Sequence, residues 1–179
     1  VNNNFAIRAG YSTGFRAPSL HQINFSRTST IFTLVDGVSV PQEVGVFANT
    51  SRAAELLGIP ELKEETSTSL SAGFTAKIPS ANLRLTVDAY QVTIDDRVIL
   101  TGQFRPDGNE ELQQLFNQAG ATRAAFFANS IGTVSQGVEV VIAHSASFGA
   151  GKTLRNDLAA TFNRTEWDQD GGINASDIL

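Results

Sequence analysis

The sequence predicts an all-β protein in which antiparallel strands form a segment of a transmembrane β-barrel. Two features support this fold class. Apolar and polar residues alternate along several segments, which gives each strand one apolar face and one polar face. The connections between these segments alternate between long and short, which places all the long connections at one end of the sheet. We therefore expect about five strands, joined by long loops that carry short helices and by short turns.

The clearest alternation lies in a predicted hairpin over residues 66–99, around which the chain is organised. A Pro-Ser-Ala-Asn connection joins its two arms. Apolar residues occupy every second position of both arms, namely Leu70, Ala72, Phe74, Ala76 and Ile78, then Leu83, Leu85, Val87 and Ala89. An apolar face that both arms share must be buried, either in lipid or against a second layer of protein.

Three further segments continue the pattern. A first strand is predicted over residues 5–12, and two later strands over about 131–145 and about 154–164. Within the hairpin, the apolar parity changes at Tyr90, and two explanations are open. A bulge near Ala89–Tyr90 would return the apolar side chains to the outer face. Alternatively, the strand has already left the bilayer, since about 9–11 residues suffice to cross it.

The lengths of the connections set the expected topology. Long connections span 15–65 and 101–128, and short turns span 79–82 and 148–153. The first long connection is predicted to be irregular, apart from a helix over 52–57 that Ser51 caps. Asn109 is predicted to cap a helix that reaches Phe116. In outer-membrane barrels the long loops are extracellular and the short turns periplasmic.

Composition argues against several classes of protein. The absence of cysteine excludes disulfides and thiolate metal sites, and a net charge of −5 argues against a nucleic-acid surface. No apolar run is long enough for a transmembrane helix. The sequence has no G-x-S-x-G motif, and the adjacent Asp95 and Asp96 point to opposite faces of a strand, so they do not form an acid–base pair. We therefore expect neither an enzyme nor a bound cofactor.

Three charged residues are candidates for ligand binding: Arg16, Asp88 and Glu139. Asp88 and Glu139 fall on polar strand faces. There they either contact the contents of a water-filled lumen or are simply hydrated. Arg16 precedes Pro18, at the point where regular pairing is predicted to end. It either shapes the exit from the first strand or contacts a ligand from a loop.

The end of the chain matches the spacing of an EF-hand calcium loop. Glu166, Asp168, Asp170 and Asp177 occupy positions at which carboxylates bind calcium in that loop. Glutamate at the first position and aspartate at the last depart from the motif, and a strand rather than a helix is predicted before it. The sequence therefore predicts a solvated extracellular loop without a metal, because Asp, Gly and Asn are also common in plain loops.

Four segments follow one another in a characteristic order: GFRAPSL at 14–20, LKEETSTSLSAGF at 62–74, VDAYQVTIDDRV at 87–98 and FFANSIGTVSQGVEVV at 126–141. Together they resemble the C-terminal half of the barrel of TonB-dependent outer-membrane receptors. The resemblance implies a barrel of about 22 strands around an N-terminal plug. Such a receptor, in the bacterial outer membrane, imports a scarce nutrient such as an iron-siderophore with energy from the inner membrane.

The resemblance also implies partners. Residues 1–179 would form part of one barrel domain, and the plug domain would lie elsewhere in the receptor. The expected partners are outer-membrane lipid, the plug and remaining strands of the same receptor, TonB acting through the N-terminal part, and a small nutrient ligand. Nucleic acid is not among them.

An alternative interpretation comes from a different class of protein. A soluble extracellular β-domain that acts as a binding or adhesion module would also show alternating strands. Its apolar faces would pack against a second sheet instead of lipid. The two interpretations differ in whether the folded protein depends on detergent or lipid.

Overall fold

The structure is a computed structural model that describes residues 4–35, 37–149 and 151–168. Its strands are β1 Phe5–Arg16, β2 Arg27–Val35, β3 Val38–Val46, β4 Glu65–Ile78, β5 Leu83–Leu100, β6 Arg123–Ala125, β7 Phe127–Phe148 and β8 Lys152–Asp168. Its helices are α1 Leu20–Asn24, α2 Arg52–Leu56 and α3 Glu110–Gln118, and a 3-10 turn covers Pro79–Ala81.

The strands form two sheets. A five-stranded sheet has the order β1-β4-β5-β7-β8, and a three-stranded sheet has the order β2-β3-β6. The chain also divides into two compact units. Among the described residues, the strand unit is drawn from 4–14, 67–94 and 133–167, and the loop unit from 15–66, 95–132 and 168. The five predicted strands and the all-β fold class are confirmed, and the central hairpin differs from its predicted bounds by a single residue at each end.

One face of the strand unit is polar, and residues that lie opposite each other on this face define the register of the sheet. The facing pairs are Gly10 with Ser71, Thr75 with Thr86, Tyr90 with Gly137, and Ser135 with Thr165. Each pair joins neighbouring strands, so this face continues from β1 to β8. The alternation of polar residues in the sequence is therefore realised as one continuous surface.

The opposite face of the strand unit carries large apolar side chains. The rings of Phe5 and Phe74, on the neighbouring strands β1 and β4, lie with their centroids 5.9 Å apart. Leu158 and Phe162 of β8 are 65% and 70% exposed. A continuous exposed apolar surface is unusual for a soluble protein. This face is instead suited to contact with lipid.

The change of parity in β5 places Tyr90 on the polar face. Its ring packs over Gly137 of β7, where an added Cβ would lie 2.8 Å from the Tyr90 hydroxyl. A bulge at Ala89–Tyr90 would have turned this ring to the apolar face, so that explanation of the parity change is wrong. β5 carries a left-handed residue further along, at Asp96, with φ of 54°.

The long connection over 15–65 is more regular than predicted. β2 and β3 pair antiparallel, beginning with Arg27 opposite Val46, and β6 adds to β3 in parallel. The sequence does contain the signal for this hairpin, since Asp36-Gly37 between runs of β-branched residues favours a tight turn. Gly37 has a φ of 80°, which side chains other than glycine adopt with difficulty. The prediction of an irregular connection is therefore wrong.

The predicted helix caps are confirmed. The side chains of Ser51 and Asn109 accept hydrogen bonds from first-turn amides of α2 and α3, at 3.3 and 3.1 Å. α3 continues to Gln118, slightly beyond the predicted end at Phe116. The additional short helix α1 follows Ser19, which forms a capping box with Gln22, the third residue of the helix. Among the described helices, none is long and apolar enough to cross a membrane.

The loop unit has its own hydrophobic core. Phe116 and Phe126 are completely buried. Phe47 stacks against Phe116 with ring centroids 5.4 Å apart, and Phe104 meets Phe126 edge-on at 5.9 Å. Burying a phenylalanine side chain contributes about 1.5–3 kcal/mol. The long connections therefore form a packed structure. Its buried aromatic core holds the exposed residues in fixed positions.

Candidate functional site

Arg8 and Asp88 form an ion pair on the polar face of the strand unit, although β4 lies between their strands. Arg8 Nε donates to Asp88 Oδ1 at 2.7 Å, and a terminal guanidinium nitrogen donates to the other carboxylate oxygen. The remaining terminal nitrogen donates to Thr75 Oγ1 at 3.1 Å. Gly73 of β4 makes the crossing possible, because a Cβ at that position would collide with the Asp88 carboxylate. The pair has the bidentate geometry that makes arginine–carboxylate contacts strong.

Glu139 lies in the same row of the polar face. Tyr90 packs over Gly137, and the next polar-face positions along β5 and β7 are Asp88 and Glu139. Glu139 is exposed, and within the described residues it makes no ion pair or hydrogen bond. The structure therefore brings two of the predicted site residues into one row. That row has an excess of negative charge and suits a cationic or hydrogen-bond-donating group.

Arg16, the third candidate, belongs to the loop unit. One of its terminal nitrogens lies 2.5 Å from Glu65 Oε1, and the Val98 amide donates to the same oxygen at 2.8 Å. Glu65 is only 7% exposed. A buried carboxylate needs such partners, because an uncompensated charge is costly away from water. Arg16 therefore links the ends of β1, β4 and β5, which supports a role in shaping the strand exit.

Asn129 joins three segments of the loop unit, and the sequence analysis did not single it out. Its Oδ1 accepts from the Lys63 amide at 2.9 Å, and its Nδ2 donates to the carbonyls of Lys63 and Asp96 at 2.9 and 2.6 Å. Lys63 Nζ also pairs with the Asp96 carboxylate at 2.9 Å. Asn129 is 6% exposed. The sequence does hold a signal for this role, namely an amide side chain within an apolar strand segment. An amide buried there is expected to form hydrogen bonds, because buried polar side chains almost always do.

Arg52 connects α2 and α3 at the surface of the loop unit. Its Nε donates to Glu111 Oε1 at 2.9 Å, and a terminal nitrogen lies 2.8 Å from a Glu55 carboxylate oxygen. The hydrogen bonds to Glu111 and Glu55 raise the pKa of Arg52. The hydrogen bond from Arg52 lowers the pKa of Glu111 from its usual value; desolvation opposes this shift, and the charge of Arg52 adds to it. Such exposed pairs contribute little to stability.

The calcium-loop candidates lie largely beyond the described part of the chain. Glu166 pairs with Arg164. Asp168 is the last residue of β8, and Asp170 and Asp177 lie outside the described residues. In the ranges that the structure describes, no group of acidic or histidine side chains is arranged to hold a metal ion.

The chain matches a family model over residues 1–178, and the model is described as TonB dependent receptor-like, beta-barrel. The chain belongs to the TonB-dependent receptor β-barrel family. This family consists of outer-membrane receptors and transporters of Gram-negative bacteria rather than enzymes. The family assignment favours the lipid-facing interpretation of the apolar strand faces over the soluble binding module.

A solved structure shares the fold of this TonB-dependent receptor segment. It is the RagAB peptide importer in the "closed-closed" state, with a TM-score of 0.55 and 14% sequence identity. The similarity covers 93% of this chain but 16% of the importer chain, so this chain spans a small part of that protein. No curated protein sequence matches the chain.

Proposed function

We propose that this chain is part of the barrel of a TonB-dependent receptor that imports a scarce nutrient across the bacterial outer membrane. The two-sided sheet of the strand unit is the observation that supports this function most directly. One face carries the Arg8–Asp88 pair, and the other exposes large apolar side chains. These are the surfaces that a water-filled lumen and a lipid bilayer require.

Residues 1–179 contribute to a single barrel domain, whereas the plug, the other strands and the segment that contacts TonB belong to the rest of the receptor. The polar face lines the lumen and faces the plug. Asp88 and Glu139 contact the plug or the passing ligand there, and Arg8 holds the Asp88 carboxylate in place. The short turns lie on the periplasmic side.

The loop unit faces the outside and captures the ligand, which is a small nutrient such as an iron-siderophore. Its packed core keeps the exposed residues in fixed positions, which lowers the entropic cost of binding. Arg16 remains available for an anionic chelate, because its side chain is 64% exposed despite its contact with Glu65.

Uptake by intact cells tests this function. We expect labelled ferric siderophore to enter cells that carry the complete receptor, and entry to stop when the receptor is deleted or the inner-membrane proton gradient is collapsed. A parallel panel of oligopeptides tests the ligand class. Uptake of peptides without uptake of siderophores would show that the ligand is a peptide, and it would leave the proposed import function intact. Uptake of neither class through the receptor would overturn import of such nutrients.

Thiol labelling tests the topology. Cysteines introduced at Thr50 and Gln114, both exposed in the loop unit, should react with a membrane-impermeant reagent on intact cells. Cysteines at Ser80 and Lys152, beside the short turns, should react only after the outer membrane is opened. The reverse pattern would show that the loop unit faces the periplasm.

A further inference from the structure

A cleft of about 390 Å³ lies on the apolar face of the strand unit, where β5, β7 and β8 run side by side. The small side chain of Ala89 leaves space there, and Val138 and Phe162 supply apolar walls. Gln136 and Arg164 line the end of the cleft that is nearer to the long connections. The cleft is therefore apolar along most of its length and polar at one end.

The register of β7 and β8 brings the two polar side chains of the cleft together. Ser135 and Thr165 face each other on the polar face, with their hydroxyl oxygens 2.8 Å apart. Successive side chains of a strand point to opposite faces, so the next positions, Gln136 and Arg164, lie opposite each other on the apolar face. A cation and an amide thus stand side by side on a surface that otherwise contacts hydrocarbon.

The polar end of the cleft lies at the boundary of the apolar band. Near the short turn, Asn156 of β8 occupies the same face, with its Nδ2 3.5 Å from His144 Nδ1. From Asn156 to Arg164 the strand rises by about 26 Å, which is about 20 Å along the membrane normal for a tilt of about 40°. The apolar band of a barrel is about 25 Å tall. Arg164 is therefore placed where hydrocarbon meets the lipid headgroups.

Both polar side chains keep donors available for a ligand. Arg164 pairs with Glu166, yet its side chain is 70% exposed. A guanidinium has five N–H donors, so the contact with Glu166 leaves others free. Gln136 is exposed, and within the described part of the chain its side chain has no hydrogen-bond partner. This combination fits an amphiphile with a phosphate headgroup, because arginine binds phosphate through two parallel hydrogen bonds.

We propose that this cleft binds one lipid A moiety of lipopolysaccharide from the outer leaflet of the outer membrane. A phosphate of the headgroup contacts Arg164 and Gln136, and an acyl chain lies over Ala89 and against Phe162. The proposal rests on the function proposed above, which places the long connections outside the cell. That orientation identifies the lipid, because lipopolysaccharide forms the outer leaflet and phospholipids form the inner one.

Photo-crosslinking of the complete receptor, purified in detergent, tests the proposal. A photoreactive amino acid replaces Val138, which leaves both polar side chains intact, and the mass of the receptor is measured after titration with lipid A. We expect saturable capture of a single lipid A, and several-fold less capture of dephosphorylated lipid A. Capture that does not saturate, or no capture, would overturn the proposal. Equal or stronger capture of phosphatidylglycerol would overturn it in favour of a phospholipid site.

Two charge variants test the contact with phosphate. With the photoreactive residue at position 138, Arg164→Gln should lower the yield of the lipid A adduct several-fold. Glu166→Gln is the matched control, since it removes the partner charge of Arg164 but no donor to phosphate. The yield in this variant should not fall. Equal losses in the two variants, or an unchanged yield in Arg164→Gln, would contradict a phosphate site at Arg164.

The thiol labelling described above separates failure of this proposal from failure of the proposed topology. Labelling that places the loop unit outside, together with no capture of lipid A at position 138, would leave the proposed function intact and overturn the lipid site. Labelling that places the loop unit in the periplasm would contradict both, because the polar end of the cleft would then lie in the inner leaflet.

Discussion

Arg8 and Asp88 are joined by two hydrogen bonds that pass over the backbone of a strand to which neither residue belongs. The strand between them, β4, presents Gly73 at the crossing point. The arginine and aspartate side chains together bridge two strand spacings of about 4.8 Å each. Gly73 has no side chain and so leaves space for the Arg8–Asp88 pair, which couples β1 to β5.

The first prediction concerns this crossing. Gly73→Ala should lower the free energy of unfolding of the complete receptor by about 1–3 kcal/mol, because the new Cβ meets the Asp88 carboxylate and the Val87 carbonyl. Urea titration in lipid vesicles measures the change. Gly10→Ala is the matched control, since its Cβ meets only the Ser71 hydroxyl, which can rotate away. Equal effects of the two substitutions would contradict the role given to Gly73.

The second prediction separates the two faces of β7. Val140 lies between Val87 and Ala160 on the apolar face, so Val140→Arg should destabilise the barrel by about 2–4 kcal/mol near mid-bilayer. Glu139→Arg should destabilise the barrel far less, because position 139 faces water and lies in the row of Asp88. Folding yields in vesicles compare them, and equal tolerance would rule out a lipid-facing Val140.

The third prediction concerns the buried amide of the loop unit. Asn129→Ala leaves the Lys63 amide and two carbonyls without partners, at a cost of about 1–3 kcal/mol for each group that stays buried and unsatisfied. Hydrogen exchange at Lys63 should accelerate. Asn117→Ala removes an exposed asparagine of α3 and should leave this exchange unchanged. Unaltered protection of Lys63 in the Asn129 variant would show that its hydrogen bond is dispensable.

The fourth prediction tests the core of the loop unit. Phe116→Ala should destabilise this unit by about 3–5 kcal/mol, because a completely buried ring leaves a cavity among other aromatic rings. Phe32→Ala makes the same substitution at a ring that is 73% exposed, and its cost should stay below about 0.5 kcal/mol. Limited proteolysis of the receptor on intact cells measures both. Similar cleavage rates would mean that the core does not hold the loops.

The fifth prediction concerns pH. The pKa of Glu111 is lowered in the folded protein by its hydrogen bond from Arg52, so the stabilising contact is complete above the usual carboxyl pKa of about 4.3. It is lost as the pH falls through the lowered value. Proteolytic protection of α2 and α3 should therefore decrease slightly in acid. Glu111→Gln should abolish this part of the pH dependence, whereas Glu110→Gln should retain it.

Local patterns in the sequence were sufficient for much of this fold. The strands, the tight hairpin connection and the helix caps at Ser51 and Asn109 depend on residues close together in the chain, and the structure confirms them. The β2–β3 hairpin was missed although Asp36-Gly37 signals it. The reason is that β2 and β3 carry few charged residues on either face. Their sequences therefore lack a clear alternation of apolar and polar residues.

Contacts between distant residues account for what the sequence did not reveal. Arg8 and Asp88 are 80 positions apart, and Lys63 and Asn129 are 66 positions apart. Alternation assigns each residue to a face but does not determine the row in which it meets its neighbours. Asp88 and Glu139 were therefore predicted to share a surface, whereas their position in a common row follows only from the register of β5 and β7.

The core of the loop unit also bears on how the exposed surface of this unit can change in evolution. Phe32 and Leu34 in the β2–β3 hairpin are 73% and 75% exposed, whereas Phe116 and Phe126 are completely buried in the same unit. Substitutions at such exposed positions of the hairpin remove few packing contacts. Those substitutions leave the buried framework intact, so the surface can diversify rapidly while the architecture beneath it is inherited unchanged.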